Sequence, residues 1–325
     1  MKDTLCLYVG YDKFGKIDDY VVDAVKRYSK FCDVYYLADC DLDNTGGVSR
    51  VKNYTIYADA YRHTKYDFGS WSELFKKIGW ENVAKYKRLI LTNDSCYGPF
   101  YDIEKICTTD FDESPYDILG YTTNKNKKKS KQHIQSFFFV FKNNVFTNKE
   151  FQKFFDGIVA FENKMDVLTK YENGFSQLLK KLGFKYTTFI KKATAYYPNK
   201  IMKQKGFLLK TSYFTRTQPD ESLLCFKGFE KQYQDYDIKL IENHAKRMGA
   251  NIDDMIRKSI LIARNYKSLN DVKFVLGRWK IFLPVAFVIL NGEKIGFEIL
   301  KKILFKPVKS ISKRLKKLFR FLTKA

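Results

Sequence analysis

Short apolar runs alternate with amphipathic stretches along the first two thirds of the chain. Leu5-Cys6-Leu7-Tyr8-Val9 is apolar throughout and stops at Gly10, which predicts a buried strand. From Ile17 to Tyr28, the residues Val21, Val22, Val25 and Tyr28 recur at helical spacing, with Asp18-Asp19 near the start, where the helix dipole favours acids. Val34-Tyr35-Tyr36-Leu37 predicts the next strand, ending at Asp39. Such a strand, helix, strand unit implies a crossover between parallel strands. Val51 to Tyr57 alternates loosely and predicts a third strand, followed by a loop carrying Tyr66 to Trp71 and a helix from Trp71 to Ile78. Arg88 to Leu91, Ile118 to Tyr121 and Gln135 to Phe141 read as further strands. The last is almost continuously aromatic, which places it centrally in the sheet. Asn148 to Phe161 and Val167 to Leu182 read as helices, the second closed by Gly183. Tyr186 to Tyr236 shows no clear period, and Ile238 to Met248 and Ile252 to Asn265 are again helical. The whole is α/β, a mostly parallel sheet flanked by helices with further helices at the C-terminal side.

Polar residues gather where these strands should end. Tyr66-Asp67-Phe68-Gly69-Ser70-Trp71 and Thr92-Asn93-Asp94-Ser95-Cys96-Tyr97-Gly98-Pro99-Phe100 each join an acid, a glycine, a hydroxyl and aromatics. Open α/β sheets bind ligands outside the carboxyl ends of their strands, so the two stretches are expected to form two walls of one site. Residue by residue, two readings stand. Asp94 either caps the following element or binds a ligand, and Asp67 either shapes a turn or faces the site. Glu172, in Tyr171-Glu172-Asn173-Gly174, is either an idle helix-start acid or a functional carboxylate. There is no Walker loop, and with three His no Ser-His-Asp order can be argued.

The six cysteines form no C-x-x-C pair, which argues against a zinc site. With no apolar leader after Met1, they predict free thiols in a reducing cytoplasm. Hydrophobic residues make up 45% of the chain and aromatic ones 17%, which excludes a disordered polypeptide.

A net charge of +23 predicts a polyanionic partner. Residues 273–325 concentrate it, with 14 Lys and Arg against two Glu. Ile281 to Leu290 is apolar but only ten residues long, with Pro284 inside it, whereas a bilayer span needs about 20 residues. Beyond Pro307, the residues Val308, Ile311, Leu315, Leu318 and Leu322 form an apolar stripe beside Lys309, Lys313, Arg314, Lys316, Lys317, Arg320 and Lys324. This pattern predicts an interfacial helix on an anionic membrane surface through residues 307–325, rather than a nucleic-acid arm. A helix packed on its own domain is the alternative. Asn124 to Lys131, with five lysines, reads as a solvated loop or a flap near phosphates or lipid headgroups. The expected division is a catalytic domain over 1–236, a helical extension over 237–272 and a basic tail over 273–325.

The two strand-end motifs, together with His133-Ile134-Gln135-Ser136-Phe137-Phe138, resemble the rhamnan synthesis protein F family of bacterial glycosyltransferases, over about residues 4–190. The resemblance implies a GT-A-like fold that binds a nucleotide-sugar, with dTDP-rhamnose as the expected donor. It implies that Tyr11 and Asp12 hold the nucleotide base, with Asp39, Asp67, Gly69, Ser70, Asn93, Asp94 and Ser95 also on the donor. Asn93-Asp94-Ser95 occupies the place of the usual D-x-D, with one carboxylate instead of two. Mg²⁺ or Mn²⁺ on Asp94 is therefore expected to matter less than in enzymes with two. Tyr171-Glu172 through Gly183 matches the segment that carries the base in inverting enzymes, which points to Glu172. His133 and Gln135 are implied at the diphosphate or the acceptor. The implied acceptor is a polyprenyl-linked surface glycan, reached by a monotopic enzyme on the cytoplasmic face of the bacterial inner membrane. Two alternatives remain: the same fold with another hexose or deoxyhexose donor, or an inactive membrane-bound scaffold.

Overall fold

The computed structural model describes residues 1–41, 47–124, 132–160, 168–191, 201, 204–212, 229 and 232–250. Most of the lysine-rich loop, Cys225, the helix expected over Ile252 to Asn265, the apolar run from Ile281 and the basic stretch 307–325 lie outside them. Among the described residues no helix is long and apolar enough to cross a membrane.

Seven strands form the main sheet: β1 (Thr4–Gly10), β2 (Asp33–Ala38), β3 (Tyr57–Ala60), β4 (Arg88–Asn93), β6 (Ile118–Gly120), β7 (Phe138–Lys142) and β8 (Tyr186–Thr188), in the order β3-β2-β1-β4-β7-β6-β8. A two-stranded ribbon pairs β5 (Cys96–Tyr97) with β9 (Leu209–Lys210). β7 runs against both its neighbours, and all the other pairings in the main sheet are parallel. The chain order reverses between β1 and β4, so the crevice at their carboxyl ends is the place where such sheets bind ligands.

Every residue of β1 and β4 is buried, as expected for strands covered by helices on both faces. Alternation sorts the side chains. Cys6 and Tyr8 pack with Tyr20, Val21, Ala24, Val25 and Tyr28 of α1 (Asp19–Tyr28), whereas Leu5, Leu7 and Val9 face the other way. That second face joins Phe68, Trp71, Leu74 and Phe75 of the next long helix to Phe151, Phe155, Phe175 and Leu179 further along. Aromatic residues thus fill both layers, and β7 feeds each in turn, with Phe138 and Val140 on one side and Phe139 and Phe141 on the other.

Four expectations need correction. The third strand is not Val51 to Tyr57. A short helix, α2 (Ser49–Lys52), turns Val51 into the core, and β3 starts only at Tyr57. The Tyr66 to Trp71 motif is not a loop but the start of α3 (Tyr66–Ile78). The reason is Asp39, whose carboxylate accepts the N–H groups of His63, Thr64 and Tyr66 at 2.8, 3.0 and 3.1 Å. Those bonds hold Thr64 and Tyr66 at left-handed φ values of 62° and 57°, a costly conformation that only a surrounding network sustains. The helix expected up to Phe161 ends earlier: α4 spans Lys149–Asp156, with Asn148 Oδ1 capping Glu150 N–H at 2.9 Å. The helix expected over Val167 to Leu182 is two pieces, a π-helical turn (Leu168–Asn173) and α5 (Gly174–Lys181). Gly183 follows at φ +81°, the left-handed closure expected of it. The last described helix, α6 (Lys239–Arg247), adds Ile241 and Ala245 to the α1 side of the core.

Trp71 is fully buried and donates its Nε1–H to the Leu7 carbonyl at 3.2 Å, tying α3 to β1. Trp71→Ala leaves a large cavity in that layer. The expected loss is about 3–5 kcal/mol of stability, seen as a lower urea midpoint at unchanged slope.

Candidate active site

The crevice at the switch point is built by direct contact between its two loops. Asp94 follows β4 and its N–H donates to Val9 O at 3.0 Å. Its carboxylate accepts Tyr11 N–H at 2.7 Å, just past β1. Gly10 makes room for this: a Cβ there would lie 2.9 Å from Asp94 Oδ2 and 3.0 Å from Tyr36 Oη. Asn93 is buried and hydrogen-bonded on both sides of its amide. Its amide donates to Asp67 Oδ2 at 2.7 Å, and its Oδ1 accepts from Ser95 Oγ at 2.6 Å. The Asn93–Asp67 bond fastens α3 to the end of β4, so the two motifs singled out in the sequence do meet.

Other candidates near this wall support it. Asp39 holds the start of α3. Ser70 is buried, 2.8 Å from His63 Nε2. His63 Nδ1 accepts Lys65 N–H at 3.2 Å, so Nε2 carries the proton and donates to Ser70 Oγ. Burial lowers the His63 pKa, in keeping with this neutral ring. Gly69 is needed because a Cβ would lie 2.0 Å from Lys65 Cβ. Asp12 turns its own loop, accepting Phe14 and Lys16 N–H, and pairs with Arg247 Nη2 of α6 at 2.6 Å. Tyr11 is 51% exposed, Phe14 54%, Tyr61 41% and Tyr66 38%. These four aromatic faces lie on the loops that follow β1 and β3 and at the first residue of α3, where a planar base has surfaces to stack on.

The third part of the site comes from β7. Because that strand is antiparallel, with Thr92 opposite Phe138, its beginning lies beside the end of β4. His133, Gln135 and Ser136 precede it and so reach the same end of the sheet. Glu172 closes on them from the π-helical turn. Its Oε1 accepts from Ser136 Oγ at 2.7 Å and its Oε2 lies 3.4 Å from His133 Nε2. Burial alone raises its pKa, but the bonds from His133 and Ser136 and the nearby Lys210 outweigh it, and the net shift is downward. Glu172 is therefore an ionised acceptor. Gln135 Oε1 is buried and has no hydrogen-bond partner among the described residues.

Sequence reading missed Lys210, Ser136 and Arg247. Ser136 lies inside a motif already singled out. Lys210 lies in a two-residue strand within an aperiodic stretch, where nothing marks it. It is tied in by Ser95, whose carbonyl accepts Thr211 N–H at 2.9 Å and whose Oγ accepts from Lys210 Nζ at 2.8 Å. Arg247 bridges Asp12 and Asp18, a pairing between distant parts of the chain with no local signature.

Burial and the acids Asp67, Asp12 and Asp18 push the Asp94 carboxyl well above the usual range. A crowded carboxyl of this kind suits a nearby cation. However, no group of three or more His, Cys, Asp or Glu among the described residues can hold a metal ion. The residues fit a divalent ion held by Asp94 and the phosphates of a bound donor, not a cage made by protein alone. The described cysteines Cys6, Cys32, Cys40, Cys96 and Cys107 are free and buried. A cavity of about 470 Å³ lined by Lys85, Lys87, Asp112, Lys142 and Asn143 lies at the opposite end of β4 and β7 and contains none of the candidate residues.

Residues 49–283 match the model of the family described as rhamnan synthesis protein F. The match begins later and runs further than the likeness read from the motifs. No curated protein matches the chain. Among solved structures, the apo form of the glycosyltransferase GlyE from Streptococcus pneumoniae TIGR4 is similar at 11% identity and a TM-score of 0.40, covering 76% of this chain and 64% of that one. A cytidylyltransferase from Leptospira borgpetersenii is similar at 13% identity and a TM-score of 0.38, covering 77% and 98%. These likenesses are weak, and the fold rests on the strand order itself.

The electrostatics of Asp94 yield a prediction of stability. A carboxyl whose folded pKa exceeds its unfolded value costs stability once pH rises above that unfolded value. In Asp94→Asn the side-chain amide oxygen would still accept from Tyr11 N–H, without the charge. The substitution is therefore expected to raise the melting temperature near neutral pH by about 2–4 °C, the shift that ~1 kcal/mol gives in a domain of this size. The gain should shrink as pH falls toward the ordinary value of 3.8. Calorimetry across that range checks the sign.

Proposed function

As this chain belongs to the rhamnan synthesis protein F family, we propose that it is a glycosyltransferase that moves a sugar from a nucleotide-sugar to an acceptor hydroxyl, with Glu172 as the general base. The observation that carries this reading is the ionised Glu172, oriented by Ser136 and His133 at the end of the sheet where the switch-point crevice opens.

In this mechanism the base stacks on the exposed aromatics beyond β1 and β3, and the diphosphate lies over Asn93-Asp94-Ser95. A divalent ion, when bound, would draw charge from the diphosphate, and Asp94 would hold it. The acceptor oxygen attacks the anomeric carbon from the Glu172 side as its proton passes to the carboxylate. The bond from that carbon to the diphosphate oxygen breaks with its electron pair on the leaving group. Attack opposite the leaving group inverts the anomeric centre. The unpartnered Gln135 Oε1 would be satisfied by a hydroxyl of donor or acceptor. By resemblance the donor is dTDP-rhamnose and the acceptor a polyprenyl-linked glycan. The basic stretch 307–325 would keep the enzyme at the cytoplasmic leaflet where that lipid lies, each Lys or Arg near an anionic surface adding about 1 kcal/mol.

With dTDP-rhamnose as donor, Glu172→Gln is expected to lower turnover by about 10²–10⁴-fold while donor binding stays nearly intact. A variant keeping more than about a tenth of the wild-type rate would remove Glu172 from the role of base, since a positioned base contributes far more than that. A different nucleotide-sugar turned over faster would overturn the donor alone. Because the Glu172 pKa is depressed, the base stays ionised until pH falls below the ordinary glutamate range. The acid limb of kcat/KM should therefore lie below 4.5, the usual value for this group.

Ending the chain before Pro307 should release much of the protein from anionic liposomes and preserve donor hydrolysis. Higher salt should weaken attachment of the full chain without abolishing it, because the apolar stripe is not screened. Equal flotation of full and shortened chains would show that the tail is not the anchor.

A further inference from the structure

We propose that Lys210 is a catalytic residue of this site, its ammonium group contacting the donor diphosphate and stabilising the charge that develops there as the sugar departs. The assignment rests on the glycosyltransferase reading above and supplies what the single carboxylate at the end of β4 leaves incomplete.

Four observations converge on it. First, the backbone around Lys210 is fixed to the strand-end loop. Cys96 pairs with Lys210 in the β5–β9 ribbon, and Ser95 O accepts both the N–H and the hydroxyl of Thr211. Second, the side chain is aimed. Nζ donates to Ser95 Oγ at 2.8 Å and stands 4.5 Å from the centroid of the Phe137 ring. Phe137 precedes β7 and Ser95 follows β4, so the ammonium lies between the two strands that bring Asp94 and Ser136, the partner of Glu172, to this end of the sheet. Third, its hydrogen-bond partner is a neutral hydroxyl. Three other cations around the crevice are committed to carboxylates: Arg247 to Asp12 and Asp18, Arg62 to Asp41, Lys65 to Glu73. Among the described residues Lys210 makes no ion pair, and an ammonium has three donors. Two remain for phosphate oxygens. Fourth, the surroundings call for positive charge. Asp67 and Asp94 lie under the expected diphosphate, and a dianion placed there without a cation would be repelled. A metal held by one carboxylate is a weak answer to that repulsion, whereas a fixed ammonium is a permanent one.

The chemistry is that of the proposed transfer, and Lys210 enters it without exchanging a proton. As the carbon–oxygen bond to the diphosphate breaks, its electron pair settles on the leaving oxygen. Preorganised positive charge at such a position lowers the barrier because it interacts more strongly with the developing anion than with the ground state. The acceptor proton goes to Glu172, on the other side of the reacting carbon. Lys210 also links donor to base: its charge helps to keep Glu172 ionised, so the two residues work as a pair of opposite sign.

The test is calorimetric titration of the full chain with thymidine, uridine, guanosine and cytidine diphosphates, with Mg²⁺ and with a chelator, alongside turnover. Lys210→Ala is expected to weaken the best-bound diphosphate by about tenfold or more and to lower kcat by about 10²-fold or more, the scale of losing one preorganised donor. Lys210→Arg, which keeps the charge, should recover much of the binding. Lys210→Met keeps the aliphatic stem against Phe137 and gives the same reading if the alanine variant loses its fold. Wild-type binding should survive chelation, and binding by Lys210→Ala should become more dependent on Mg²⁺. Equal diphosphate affinity of wild type and Lys210→Met in chelator would overturn the assignment of Lys210 alone. Failure of the wild type to bind any of the four diphosphates would overturn the donor reading, and this assignment with it.

Discussion

A hydrogen bond of 2.7 Å from Tyr11 N–H to the carboxylate of Asp94 joins the loops after β1 and β4. It lies at the point where the strand order turns back, and much of the site follows from it. Gly10 must lack a Cβ for Asp94 to sit there. Once Asp94 is placed, Asn93 beside it reaches Asp67, and α3 is fixed to β4. Ser95 on the other side receives Lys210 and Thr211, and the β5–β9 ribbon is fixed as well. One crowded acid thus organises three neighbours. Burial and the neighbouring acids raise its pKa, a cost in stability of the kind that functional sites carry.

The antiparallel direction of β7 is the second constraint. If that strand ran with its neighbours, the residues preceding it would lie at the far end of the sheet, beside Lys85 and Lys87. Reversed, it brings His133 and Ser136 to Asp94's end, and Glu172 is met there from the π-helical turn. Single π turns are frequent at functional sites. Here the turn delivers a carboxylate to two hydrogen-bond donors that come from a different layer of the molecule.

Much of this was legible in the sequence where the signal was local. The apolar runs of β1, β2 and β4 and the period of α1 and α6 mark themselves, because a strand covered on both faces leaves no choice of residue type. The motifs at Tyr66 and Thr92 were visible as polar residues at strand ends. What was not legible depended on distance. The helical start of α3 rests on Asp39, some 27 residues earlier. Ser70 carries the hydroxyl expected of a ligand contact, and its oxygen also accepts from His63, a pairing that the motif itself does not show. Lys210 acquires its meaning from Ser95, 115 residues away, and Arg247 from Asp12, 235 residues away. Such pairings leave no periodicity to read.

The central claim is that the carboxyl ends of β1, β4 and their neighbours hold a nucleoside diphosphate. Hydrogen exchange read by mass spectrometry, with and without a nucleoside diphosphate, tests it most directly. The account predicts slower exchange in residues 10–16, 61–70, 93–97 and 208–211. Protection confined to residues 84–87 and 142–144, around the cavity at the opposite end of the sheet, would contradict it.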